Sequence, residues 1–278
     1  MEILRYAAFT SDPAGGNPAG VVLDATGLDE SRMQRIAADV GYSETAFVWP
    51  GDGRNYTLRY FSPLAEVPFC GHATIATGVA LAERIGPGDL MFGTPVGDIA
   101  VSTAGTASGH RATLVSAPTR SRAASAAETA GALAALGWAP DDLDPALPAQ
   151  VAFAGNEHLV LAARSRERLA DLHYDFDGLG KLMAERGWTT LQLIWREDPV
   201  TFHSRNPFPV GGVVEDPATG AAAAALGGYL RELGLITAPQ RITILQGQDM
   251  GRPSTLDIDV SPTDARVSVS GSAVPIPE

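Results

Sequence analysis

With Cys70 as its single cysteine, the chain cannot form an intramolecular disulfide. No histidine or cysteine pair has zinc-ligand spacing, so no dedicated metal site is expected. Lys181 is the only lysine, and 20 basic residues stand against 32 acidic ones, for a net charge of −12. No stretch concentrates positive charge, which argues against nucleic acid or an anionic membrane surface as partner. No segment approaches the roughly 20 apolar residues that span a bilayer. The alanine run at 221–225 is too short and soon meets Gly227 and Gly228. The opening MEILRYAAFTSD lacks the basic start and apolar run of a signal peptide, so a cytoplasmic location is expected. There is no GxGxxG and no phosphate-loop lysine motif.

What is present is a globular composition. Hydrophobic residues make up 45% and charged residues 19% of 278, enough to bury one large core or two ordinary ones. The first half reads as short strands at 2–9, 19–23, 45–49, 55–61, 90–93, 97–102 and 109–115, punctuated by turn residues. A helix fits 27–40, with Thr26 and Asp29 at capping-box spacing and Met33, Ile36, Ala37 and Val40 on one face. Another fits 72–85, closed by Gly86 and Pro87. The stretch 118–150, rich in Ala, Pro and Asp, reads as a linker followed by a surface helix near 125–137. Strands resume at 150–154, 158–163, 190–195, 199–204 and 241–247, a long helix fits 217–233, and 254–271 returns to strand-like alternation.

One internal similarity organises these elements. His72-Ala-Thr-Ile-Ala-Thr-Gly-Val-Ala-Leu resembles Pro217-Ala-Thr-Gly-Ala-Ala-Ala-Ala-Ala-Leu. Each segment opens a helix after a run of strands and is followed by more strands. Two alanine-rich helices can match by chance, but the matching place in each half favours a duplicated strand–helix–strand unit.

The two helix starts are the first candidates for chemistry. Phe69-Cys-Gly-His-Ala-Thr and Asp216-Pro-Ala-Thr-Gly place small residues where the first backbone N–H groups have no partner within the helix. Those groups, at the positive end of the helix dipole, suit a carboxylate or enolate-like oxygen. Asp216 is equally an ordinary N-cap with Pro217 at the first helical position. Glu44, in Gly41-Tyr-Ser-Glu-Thr-Ala-Phe-Val, stands at the start of an apolar strand. In a partly dry cleft it can take and return a proton near neutral pH; on spacing alone it is more simply a solvated strand-end glutamate. His72 is a second acid–base group or a structural histidine. Cys70 is a nucleophile or acid activated by the helix start, or a small buried hydrophobe. Ala14-Gly-Gly-Asn-Pro-Ala-Gly is a loop that lets backbone approach a ligand, or an ordinary turn.

Along its whole length the chain resembles the phenazine-biosynthesis isomerase (PhzF-like) family, which shares its fold with diaminopimelate epimerase. The likeness rests on Phe9-Thr10 followed by Gly16-Asn-Pro-Ala-Gly-Val, on Ser43-Glu44-Thr45, and on Arg59-Tyr-Phe-Ser-Pro. It continues through Cys70-Gly-His-Ala-Thr and Glu215-Asp-Pro-Ala-Thr-Gly. It implies an α+β fold of two similar halves, each a mixed sheet curled around one central helix, with the site in the cleft between them. The halves would be 1–118 together with 265–278, and 119–264. It implies a cofactor-independent isomerase acting on a small anionic substrate, with Glu44 moving a proton between carbons and His72 and Asp216 lining the same cleft. Asn17, Gly71, Ala73, Thr74, Thr219, Gly220 and Ala221 would contact the substrate. A homodimer is expected, because the family often pairs through one half and paired chains are the commonest closed assembly.

Two departures stand out. Ala221 replaces a serine that often follows the family's Thr-Gly, which casts doubt on the phenazine-pathway substrate more than on the chemistry. Cys70 matches one catalytic cysteine of diaminopimelate epimerase, but the other has no counterpart, which excludes a two-thiol mechanism. A racemase or epimerase, or a binding protein on the same fold, are the competing readings.

Overall fold

The computed structural model describes residues 1–107 and 109–277. They form two compact units, Met1–Val115 with the stretch from Ser270 onward, and Ser116–Val269. The first unit contains β1 (Leu4–Ala8), β2 (Asn17–Val22), α1 (Glu30–Val40), β3 (Glu44–Pro50), β4 (Asn55–Phe61) and β5 (Glu66–Val67). It continues with α2 (Gly71–Ile85), β6 (Gly88–Thr94), β7 (Gly97–Thr106) and β8 (Gly109–Val115). The second contains β9 (Arg120–Ala123), α3 (Ala126–Leu136), β10 (Gln150–Phe153), β11 (Glu157–Ala162), α4 (Arg166–Ala170) and α5 (Phe176–Arg186). Then come β12 (Trp188–Arg196), β13 (Thr201–Phe208), β14 (Val213–Asp216), α6 (Gly220–Glu232), β15 (Gln240–Gln246) and β16 (Ser254–Val260). The last strand, β17 (Ser268–Pro275), returns to pair with β1, Ala8 facing Ala273.

In the first unit β1–β2 is antiparallel, β2–β3 parallel, β3–β4 antiparallel, β4–β6 parallel, and β6–β7–β8 antiparallel. With β17 joined to both β8 and β1, the strands close into an eight-stranded barrel. In the second unit β10–β11 is antiparallel, β11–β12 parallel, β12–β13 antiparallel, β13–β15 parallel and β15–β16 antiparallel. Over the first five steps the two series match. A parallel pair needs a crossover, and each series has two. The outer crossover is α1 in one unit and α4–α5 in the other; the inner one is α2 or α6. The α+β fold of two similar halves, each a curled sheet around one helix, is therefore present.

Each inner helix is buried all round, from His72 to Ala82 in α2 and from Ala222 to Leu230 in α6. That explains why neither shows a polar stripe. It also explains their glycines. A Cβ on Gly78 would lie 3.2 Å from both Ala112 and Val101, and one on Gly228 would lie 2.5 Å from Thr119 Oγ1. By contrast α1 covers the outside, burying Met33, Ile36 and Ala37 against Val22, Phe47 and Phe61. Strand β3 thus has helices on both faces, which is why Thr45–Val48 form a continuous buried run rather than an alternating one.

Several boundaries differ from the sequence reading. Helix α1 starts at Glu30, because Asp29 itself caps it by accepting from Arg32 N, and Thr26 and Asp29 form no capping box. Helix α6 starts at Gly220 with Thr219 as N-cap, so Asp216 is not the cap and Pro217 is not helical. The stretch 118–150 is not a loose linker: β9 pairs with β10, and Leu133 and Leu136 of α3 join a core with Leu179 and Met183 of α5. Helix α5 was missed, although Asp175 before Phe176, Leu179 and Met183 one turn apart, and Gly187 after Arg186 are regular helix signals.

Two expectations follow. Gly228→Ala pushes a methyl group into Thr119 and should cost about 1–3 kcal/mol. Gly131→Ala in α3 meets Leu182 at an ordinary 3.4 Å and should gain up to about 1 kcal/mol from helix propensity. Urea unfolding of both variants measures the opposite signs; equal effects would refute the close-approach account.

The second concerns Glu128. Its carboxylate accepts from Ser125 N in a capping box and from both Arg122 terminal nitrogens, at 3.0 and 2.8 Å. Arg122 is the main cause that holds the carboxyl down at about 2, against an ordinary 4.5. The folded value is the lower one, so this stabilisation is fully present above 4.5 and is lost as pH falls towards 2. Glu128→Gln should cost about 1–3 kcal/mol at neutral pH. Its deficit against wild type should shrink on acidification; denaturant melts that keep a constant gap would contradict the assignment.

Candidate active site

In the first unit the chemistry gathers where β2, β3 and α2 begin. Cys70 is the extended residue before α2, and its side chain makes no cap bond. Its carbonyl instead receives Thr74 N at 3.1 Å and Thr74 Oγ1 at 2.7 Å. Tyr60 OH lies 2.8 Å from the same Thr74 hydroxyl. Buried Thr74 and Ala73 thus brace the first turn from behind, while Gly71, half-buried, leads it.

His72, 6% exposed, is oriented by Asn17, 1% exposed, whose Nδ2 lies 3.2 Å from His72 Nδ1. An amide nitrogen only donates, so with the amide in this orientation Nδ1 is the acceptor, which suits the tautomer that carries its proton on Nε2. That Nε2 lies 3.4 Å from Glu44 Oε2 and 3.4 Å from Ser43 Oγ. Glu44 opens β3 opposite Ala19 of the parallel β2, and its side chain retains 17% exposure. Cys70 Sγ completes the group, 3.5 Å from Glu44 Oε2 and 3.3 Å from His72 Nδ1. Asn17, Glu44, Cys70 and His72 are therefore one cluster. A carboxylate with two neighbouring proton donors, beside the N-terminus of a helix, can exchange a proton with a bound molecule and hold a developing negative charge.

In the second unit Asp216 is the last residue of β14, opposite Asn206. Its Oδ2 accepts from Thr219 Oγ1 at 2.5 Å. Gln246, 1% exposed, clamps this loop: Nε2 donates to Asp216 O at 2.7 Å, and Oε1 accepts from Thr219 N at 3.1 Å. The next residue, Gly247, has φ +77°, and a Cβ there would lie 2.8 Å from Pro217 O. Glycine lets the strand end approach the loop. Gly220 is buried at the start of α6, and Ala221 is half-buried behind it. Sequence reasoning missed Gln246, because a glutamine ending an apolar strand has no signature beyond the glycine after it. It also missed Tyr60, which reads as strand core.

The sequence matches the family described as "Phenazine biosynthesis-like protein" (PhzC-PhzF) over residues 6–278. It is 32% identical to the uncharacterized isomerase YddE of Escherichia coli O157:H7, over 98% of this chain and 95% of that one. It is 34% identical to the trans-2,3-dihydro-3-hydroxyanthranilate isomerase of Pseudomonas fluorescens, over 96% and 94%. The crystal structure of a PhzF-family phenazine biosynthesis protein from Bacillus anthracis superposes with a TM-score of 0.88 at 27% identity, covering 100% of this chain and 98% of that one. Likeness of sequence and of fold over the full length makes the chain a member of the phenazine biosynthesis-like (PhzC-PhzF) protein family, and an isomerase.

Proposed function

We propose that the protein isomerises a small carboxylate-bearing molecule, with Glu44 as the group that moves the proton and no resident cofactor. The observation that carries this reading is the Glu44 carboxylate lying 3.4 Å from an imidazole that Asn17 orients. In the proposed step Glu44 takes a proton from a carbon next to an unsaturated group. The bonding electrons move into the conjugated system, and the double bond shifts. Glu44, now a carboxylic acid, returns the proton to a different carbon, so substrate and product have the same atoms. His72 Nε2–H and the first N–H groups of α2 stabilise the negative charge between the two transfers, a fixed electrostatic aid that usually dominates such catalysis. Asp216, Thr219, Gly220 and Ala221 are assigned to substrate contact.

The P. fluorescens relative is named for a ring carboxylate, which sets the class of molecule to try first. Ala221 presents a methyl group where the family often has a hydroxyl, so a substrate that relies on that hydroxyl should bind this chain poorly.

Proton exchange on cyclic and unsaturated carboxylates in D₂O, followed by NMR, is the assay. A double bond that migrates marks an isomerase; label washed into one unmoved carbon marks an epimerase. Glu44→Gln should lower the rate by at least about 10²–10⁴-fold while calorimetric ligand binding stays near wild type, because the amide keeps the shape but accepts no proton. His72→Asn and Asp216→Asn should impair turnover less. Cys70→Ala should cost under about 10-fold, since a thiol is a weak donor. A Glu44→Gln enzyme at wild-type rate sinks the reading; a Cys70→Ala loss as deep as that of Glu44→Gln moves the proton transfer to sulfur.

A further inference from the structure

We propose that Arg59–Glu66 and Arg205–Glu215 are two copies of one positioning clamp. It fixes the start of each inner helix, and so aims Cys70 and His72 in one unit and Asp216 and Thr219 in the other. The effect on turnover rests on the proton-transfer reading above; the clamp itself does not.

Both pairs occupy the same place in their units. Arg59 lies on β4 and Glu66 on β5, the short strand that returns along β4 with Phe61 opposite Glu66. Arg205 lies on β13 and Glu215 on β14, which returns along β13 with Pro207 opposite Glu215. Each glutamate stands four residues before the N-cap of its inner helix, Cys70 or Thr219. The connecting residues run Glu66-Val-Pro-Phe-Cys-Gly and Glu215-Asp-Pro-Ala-Thr-Gly. In both, a proline holds the residue before it extended, so Val67 and Asp216 stay in their strands.

The bonds match as well. Arg59 Nε donates to Glu66 Oε1 and Nη2 to Oε2, both at 2.6 Å. Arg205 Nε donates to Glu215 Oε1 at 3.0 Å and Nη2 to Oε2 at 2.5 Å. A further guanidinium bond reaches the outer crossover of each unit. Arg59 Nη2 donates to Glu30 Oε2 of α1 at 3.1 Å, and Arg205 Nη1 donates to Ala170 O of α4 at 2.7 Å. A planar guanidinium makes the parallel pair and the further bond together, which an ammonium cannot. Each arginine thus ties its own strand to the strand that feeds the inner helix and to the outer crossover.

Stability alone does not account for the repeat. The Arg59 and Glu66 side chains are each 30% exposed, where an ion pair adds little. Those of Arg205 and Glu215 are 10% and 3% exposed, where two apolar residues would serve the core as well or better. What both pairs supply is direction. Two parallel bonds fix the glutamate, and a short stretch stiffened by proline carries that fix to the helix start. A displacement of about 1 Å at reacting groups can cost on the order of 10²-fold in rate.

The test uses the full chain. Arg59→Lys and Arg205→Lys keep the charge and lose the fork. Cys70, the only thiol, reports on the first unit without a substrate. Its reaction with an aromatic disulfide reagent should speed up by about 10-fold in Arg59→Lys at an unchanged melting temperature. Arg84→Lys, which loosens the surface pair with Glu2 in the last turn of α2, should leave that rate at wild type. Amide hydrogen exchange over residues 216–222 should speed up by about 10-fold in Arg205→Lys. In the D₂O assay Arg59→Lys should lower kcat by about 10-fold or more, and add little to His72→Asn. Arg205→Met combined with Glu215→Leu removes both buried charges, so it should melt at or above wild type. It should still raise KM for the exchanging carboxylate by about 10-fold and add little to Asp216→Asn. Wild-type thiol and amide exchange rates in the lysine variants overturn the clamp. So do wild-type kinetics in the apolar pair, or effects that add in full to those of His72→Asn and Asp216→Asn. A failure of the Glu44 reading shows separately, in the rate of Glu44→Gln, and leaves the thiol and amide tests standing.

Discussion

A helix threaded through a closed barrel of eight strands has almost no room, and much else in the first unit follows from that. Barrels of this size are just wide enough for side chains to fill them, whereas a helix with its side chains measures about 10–12 Å across. The inner helix is therefore rich in alanine, glycine and threonine, with Ile75, Val79 and Leu81 as its larger buried side chains. Gly78 against Ala112 and Val101 shows the tolerance: one added methyl group would make a neighbour give by a few tenths of an ångström. A helix that cannot shift fixes where it starts. Cys70 and His72 are delivered to the first residues of β2 and β3, where Asn17 and Glu44 stand. The site inherits its precision from the core rather than from loops.

The same constraint acts in the second unit, but the chemistry diverges. There the corresponding helix begins with Gly220 and Ala221, and its approach is held by the Asp216–Thr219–Gln246 network. The parallel pair that matches β2–β3 is β11–β12, where Trp188 and His158 are buried. Burial pushes His158 down to about 3, so it stays neutral while its Nδ1 meets Thr190 Oγ1 at 2.8 Å. This histidine sits in a packed interior; His72 sits beside a carboxylate and a thiol. The two units share one frame, and the cluster of glutamate, histidine and thiol is in the first.

How far the sequence reveals this depends on the length scale of each signal. The inner helices and the strands around them are legible because burial on all sides leaves continuous runs of small and apolar residues. The members of the first-unit cluster that sit on short motifs, Asn17, Glu44, Cys70 and His72, are legible through their resemblance to a family. Their mutual distances are not, because Asn17 and His72 meet through packing of α2 on β2 across 55 residues. Boundaries failed where local polar groups outweighed propensity. Thr219 and Gln246 hold Asp216-Pro-Ala in an extended loop that proline and alanine alone would let into the helix. Gln246 and Tyr60 were invisible for a related reason: each supports a helix start from a strand, and no local pattern records such a role.

A single carboxyl group that takes and returns the same proton carries a stereochemical consequence. It can reach only one face of a bound molecule, so removal and return occur on that face unless the intermediate turns over. Stereoinversion requires a second group on the opposite face, which in a two-thiol enzyme is the other cysteine. This chain has one thiol, placed 3.5 Å from the carboxylate it would have to oppose. At that distance no ligand carbon fits between the Cys70 sulfur and the Glu44 carboxylate. In the proposed step, return of the proton on the same face at the far end of the shifted double bond is thus favoured over inversion at one carbon.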